Sequence, residues 1–139
     1  MSSKLINIPE NKLDEVLISK LTKSSSAVFI VSFVLESGLK LIIDELTKFI
    51  SRDGNRLIII TSNYLKATQP KALELLLSLK DLGAEIYVFD SLESNKSFHI
   101  KGYFFKDAKS QSCIVGSSNI SRTAFRLGFE FNAEISDRN

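Results

Sequence analysis

The chain has 139 residues, 44% of them hydrophobic and 24% charged, with a net charge of +2, a balance that suits one globular domain with a sizeable core and excludes bulk disorder. The longest apolar stretches, around Ala27–Leu35 and Leu57–Ile60, fall far short of the roughly 20 residues that a membrane span needs, and Met1–Asn7 has no apolar signal core, so a cytoplasmic location is expected. The single cysteine, Cys113, excludes an internal disulfide and any cysteine metal cluster, and in Cys113-Ile114-Val115 it reads as a buried strand residue.

In chain order, Leu13, Val16, Leu17 and Leu21 recur at helical spacing, so a helix is expected over 13–21, ended by Ser24-Ser25-Ser26. A buried strand follows over 27–34. A second amphipathic helix covers 39–50 through Leu39, Ile42, Ile43, Leu46 and Ile50, closed by Asp53-Gly54-Asn55. The next strand is 57–61, and the polar stretch Ser62–Gln69 reads as a loop at its carboxyl end. Pro70 suits the first turn of a helix that continues over 72–82 and ends at Gly83. Strands are expected over 85–89, 98–105 and 112–115, the last two joined by a hairpin loop at 106–111. A short helix over 120–126 and a closing strand over 128–135 complete the chain. This alternation predicts an α/β domain with a mixed central sheet, parallel at first and antiparallel around the hairpin, covered by helices on both faces.

The charge is unevenly spread. From Ser94 to Arg126 stand Lys96, Lys101, Lys106, Lys109, Arg122 and Arg126 against Asp107 alone, a net +5, as suits a segment that a polyanion approaches. The only histidine, His99, lies in this segment, two residues before Lys101. On a strand the two side chains share a face, which puts a nucleophilic imidazole beside an ammonium that can hold a phosphoryl oxygen. By itself this spacing is short, and a lone histidine with an incidental lysine is the simpler reading of it. Gly116-Ser117-Ser118-Asn119 follows a strand; the glycine admits a ligand close to the backbone, and Ser117 and Asn119 can donate hydrogen bonds to phosphate. A turn in which Asn119 caps the next helix is the competing reading.

Together, His99-x-Lys101 and Gly116-Ser117-x-Asn119 resemble the signature of the phospholipase D superfamily, and Gly128-Phe129-Glu130-Phe131-Asn132 is similar to the strand that follows it in the nuclease branch. Thr61–Leu65 with Thr68–Leu73 resembles a segment of the phospholipase D-like domains at the N-termini of superfamily 2 helicases and in restriction-type nucleases. The resemblance implies a phospholipase D-like α/β/α sandwich over residues 1–139, as the N-terminal module of a longer protein that carries a helicase domain. It implies His99 as nucleophile, Lys101 and Asn119 as phosphate ligands, Ser117 as a further donor and Glu130 as the carboxylate that orients His99. On the residues alone, Glu130 and Glu134 are not distinguished. The superfamily's motif places an aspartate where this chain has Lys106, with Asp107 one place later, and Asp107 is given no catalytic role.

In-line displacement puts nucleophile and leaving oxygen on opposite sides of phosphorus, so one imidazole cannot both attack and protonate the departing group. A chain with one histidine is therefore expected to act as a homodimer with a shared site. The function expected is that of a phosphodiesterase cutting DNA through a phosphohistidine, with no metal, no cofactor and no membrane partner. A non-catalytic DNA-binding or dimerisation module is the second reading, and a phospholipid hydrolase or transferase the third.

Overall fold

The structure, a computed structural model, describes residues 1–138. Its strands are β1 (Ser2–Ile8), β2 (Ser26–Val31), β3 (Arg56–Ser62), β4 (Glu85–Phe89), β5 (Lys101–Lys106), β6 (Ser110–Gly116) and β7 (Glu130–Arg138). They form one seven-stranded sheet in the order β1-β7-β6-β5-β2-β3-β4. β2, β3 and β4 are parallel, and every other pairing is antiparallel. The helices are α1 (Leu13–Lys23), α2 (Glu36–Ser51), α3 (Pro70–Asp81) and the short α4 (Ser91–Ser94). The chain is thus an α/β domain with a mixed sheet, as its periodicity predicts.

Alternation along the strands sends Ala27, Phe29 and Val31 of β2, Leu57 and Ile59 of β3, Tyr103 and Phe105 of β5 and Ile114 of β6 to one face. There they join Leu13, Leu17 and Leu21 of α1, Leu39, Ile42, Leu46 and Phe49 of α2, and Leu76 and Leu79 of α3 in one continuous core. Each helix supplies its buried residues at three- and four-residue spacing, so burial of that stripe, at about 25 cal/mol per Å² of apolar surface, is what fixes it on the sheet.

The opposite face is more open. Among the described residues all three long helices lie on the first face, and the second presents Val28, Ile30, Phe104, Cys113, Val115 and Ile135 half-buried or exposed. A groove of about 430 Å³ runs across it, lined in part by Val28, Phe104, Cys113 and Ile135. Cys113 is accordingly not a core residue: it is a half-buried thiol on this open face.

One contact governs where the loops sit. A Cβ on Gly38, in the first turn of α2, would lie 2.3 Å from the Ser121 nitrogen and 2.4 Å from its Cα. Only glycine lets the start of α2 abut the chain leaving β6 so closely. Leu35 N–H donates to the Ile120 carbonyl at 2.8 Å, and Arg122 N–H to the Ser37 hydroxyl at 3.2 Å, sealing that junction.

Candidate active site at the carboxyl end of the parallel strands

The antiparallel register places the beginning of β5 beside the end of β2, with Val31 opposite Lys101. The end of β6 follows, Gly102 opposite Val115, and Gly116 faces Asn132 of β7. His99, Lys101, Ser117, Asn119 and Glu130 are therefore gathered at one end of the sheet, where β2 and β3 terminate. The carboxyl ends of parallel strands are the usual place for a ligand in an open α/β sheet.

The turn after β6 is rigid because a buried side chain anchors each part of it. The Tyr103 hydroxyl donates to the Ser118 carbonyl at 2.8 Å, and Asn132 Nδ2 donates to Ser118 Oγ at 2.9 Å. Burial, with the Glu130 charge adding to it, pushes the Tyr103 hydroxyl far above its ordinary pKa, so it stays a neutral donor. Asn119, only 7% exposed, does not cap a helix: its Oδ1 accepts from Phe33 N–H at 3.1 Å. That fixes the amide so that its other end, the NH2 group, is the one offered to a ligand. The short helix expected over 120–126 is a single wide turn, Thr123–Leu127.

His99 is exposed and lies just before β5 rather than on it. Lys101 folds back beside it, its ammonium donating to the His99 carbonyl at 3.0 Å. Ser117 bridges to β7: its hydroxyl donates to the Glu130 carboxylate and accepts from Phe131 N–H at 3.0 Å. Among the described residues, His99 makes its side-chain hydrogen bond not with Glu130 but with Tyr64, whose hydroxyl lies 3.1 Å from Nε2. The rings pack edge to face with centroids 4.7 Å apart. Tyr64, 35 positions earlier, lies in the Thr61–Leu65 segment that carries part of the resemblance, but nothing in that segment ties it to His99.

The fold also fixes the place of Asp107 and of the charged segment. Lys106 and Asp107 are at the far end of β5, about 17 Å of strand from Lys101 at the usual rise. Asp107 there accepts from Lys109 N–H at 2.6 Å, from Ser110 N–H at 2.8 Å and from the Ser110 hydroxyl at 2.7 Å, so it builds the hairpin. The +5 segment is also less focused than its sequence implies. Lys106 and Lys109 flank that distant hairpin, and Arg126 is paired with the buried Asp14 of α1 at 2.6 Å. Among the described residues, no three His, Cys, Asp or Glu side chains gather as a metal-binding cluster. Nor, among the described residues, is any helix long and apolar enough to cross a membrane.

A mixed seven-stranded sheet with a histidine, a lysine, a serine and an asparagine collected at one end defines a phospholipase D-like domain. The family described as "Cardiolipin synthase, PLD-like domain" matches residues 17–139, and the chain belongs to that family. Nuc from Salmonella typhimurium, described as a phospholipase D family member, shares the fold with a TM-score of 0.70 at 17% identity, over 96% of this chain and 82% of its own. NucT from Helicobacter pylori superposes with a TM-score of 0.66 at 20% identity, over 98% of this chain and 85% of its own. The yeast tyrosyl-DNA phosphodiesterase does so with a TM-score of 0.61 at 12% identity, over 96% of this chain and 32% of its own. No curated protein matches the sequence.

Proposed function

We propose that this chain is a phosphodiesterase that cuts DNA through a phosphohistidine, as a homodimer with a shared site, and that it serves as a module of a helicase or restriction/repair system. The observation that carries the reading is the placement of His99, Lys101, Ser117 and Asn119, from the two ends of the β5–β6 hairpin, together on one exposed end of the sheet.

His99 Nε2 attacks phosphorus, forming the P–N bond as the P–O bond to the leaving group breaks. The leaving oxygen takes a proton from the His99 imidazolium of a second copy. That imidazole, now neutral, removes a proton from water, and the hydroxide breaks the P–N bond and restores the enzyme. Lys101 and the Asn119 and Ser117 side chains hold the non-bridging oxygens as charge grows on them. Glu130, released from Ser117, supports the charged imidazole. Leu65, Ile100 and Phe129, next in sequence to Tyr64, His99 and Glu130, are 73%, 54% and 97% exposed, and large apolar side chains left in water beside the site favour a second copy there. Lys66, Lys96 and Arg122 supply positive charge on the surrounding loops.

The wild-type chain is expected to cleave an oligonucleotide in the presence of EDTA, and His99→Ala to lose that activity by roughly a thousandfold or more with DNA affinity retained. The engagement of Glu130 by Ser117 and the lysine at position 106 favour the second reading, a non-catalytic DNA-binding or dimerisation module. DNA binding by the wild type without cleavage would establish that reading, and turnover of phosphatidylcholine vesicles but not DNA would overturn both.

A further inference from the structure

We infer that Tyr64 is a positioning residue for His99, its hydroxyl holding the imidazole in the tautomer that leaves Nε2 unprotonated. The inference rests on His99 being the reacting group. The phenol lies 3.1 Å from Nε2 and the rings are in edge-to-face contact. A phenolic O–H is a good donor, while its oxygen is a weak acceptor because a lone pair is drawn into the ring. The sp² nitrogen of a neutral imidazole is a strong acceptor. The favoured direction is therefore O–H to Nε2, which puts the imidazole proton on Nδ1. The hydrogen bond made by one ring nitrogen decides which of the two carries the proton. Nε2 is then the unprotonated nitrogen, its in-plane lone pair held only by the phenol, and it can attack phosphorus once an arriving phosphate displaces that single neutral contact.

Tyr64 is held for this task by more than its own loop. Tyr64 N–H donates to Ser62 Oγ at 3.2 Å, Ser62 Oγ donates to the Ser32 carbonyl at 2.6 Å, and Ser32 Oγ donates to the Phe98 carbonyl. Ser62 is fully buried and Ser32 is 2% exposed. This relay joins the end of β3, the end of β2 and the residue before His99, so the phenol and the imidazole are carried on one hydrogen-bonded frame. The two residues after Tyr64, Leu65 and Lys66, both adopt φ of 54°. Non-glycine side chains disfavour that left-handed backbone, and surrounding contacts must hold it. Thr68 supplies them, its hydroxyl donating to the Ser62 carbonyl at 2.8 Å and accepting from Val34 N–H at 3.2 Å.

Because His99 is the only histidine, every imidazole signal in a ¹⁵N-detected NMR spectrum of the whole chain belongs to it. At alkaline pH the wild type is expected to show Nδ1 protonated and Nε2 with the shift of an unprotonated nitrogen. Tyr64→Phe, which keeps the ring and removes the hydroxyl, is expected to return the imidazole to the Nε2–H form that histidine favours in water. In DNA cleavage the same variant lowers kcat about tenfold and leaves KM unchanged. A wild-type spectrum with Nε2 protonated, or a Tyr64→Phe spectrum identical to wild type, would overturn the inference, and the wild-type spectrum decides even if the variant does not fold. Absence of cleavage by the wild type would instead count against the phosphodiesterase reading, with the tautomer measurement unaffected.

Discussion

Gly116 shows how tightly single residues are constrained at this site. A Cβ there would lie 2.3 Å from the Phe131 carbonyl oxygen, 2.5 Å from Asn132 Oδ1 and 2.6 Å from Asn132 Cα. Two of the three are backbone atoms that cannot move without parting β6 from β7, and the third belongs to the side chain that anchors Ser118. Gly116→Ala is expected to cost about 1–3 kcal/mol, seen as a lower urea midpoint; an unchanged midpoint would mean that the strands are not in this close approach. Gly116, Ser117, Asn119, His99 and Lys101 were legible in the sequence because they fall in two short runs whose residue types suit a phosphate. Tyr64 was not, since it meets His99 only through the β3–β2–β5 adjacency, a pairing that no local pattern encodes. Nor was the engagement of Glu130 by Ser117, which depends on the register of β6 against β7.

At the scale of elements, local chemistry decides the hairpin between β5 and β6. The backbone N–H of Lys109 and the Ser110 hydroxyl hold the Asp107 carboxyl below the usual aspartate range. A depressed folded-state pKa means that its contribution is fully present above the ordinary value, about 4, and is lost as pH falls through the depressed one. Asp107→Ala should therefore lower the urea midpoint at neutral pH, with the gap between variant and wild type closing as pH falls below that range. A gap that persists unchanged in strong acid would show that the carboxylate's charge is not what closes the turn. α1, α2 and α3 are legible to within three residues of their ends because each has an apolar stripe and a clear break, whereas the four-residue α4 has no such stripe. β1 has almost no local signal: only Ile6 and Ile8 of its seven residues are buried, and its partner, β7, lies at the other end of the chain. β5 begins at Lys101 rather than Phe98, because the Phe98 carbonyl is taken by Ser32 instead of a strand partner. In β3, Leu57 and Ile59 are buried while Ile58 and Ile60 on the other face are only half-covered.

On the scale of the whole molecule, the chain offers one imidazole at an exposed sheet end, while the proposed displacement needs a nucleophile on one side of phosphorus and an acid on the other. If the proposed site is shared, a dimer that contains one His99→Ala protomer lacks either the attacking or the protonating group and is inactive. Mixing equal amounts of wild type and His99→Ala under conditions that let protomers reassort leaves about a quarter of the dimers fully wild type, so activity falls to about a quarter of that of the same total amount of wild type. Independent protomers would retain about half. The shape of the whole titration separates the two cases: activity follows the square of the wild-type fraction for a shared site and the fraction itself for separate ones. A straight line, obtained with reassortment demonstrated by differently tagged copies, would mean that each chain works alone. The acid would then have to come from another group on the same protomer, and Tyr64 could not supply it, because a hydroxyl bonded to the attacking nitrogen lies on the wrong side of phosphorus from the leaving oxygen.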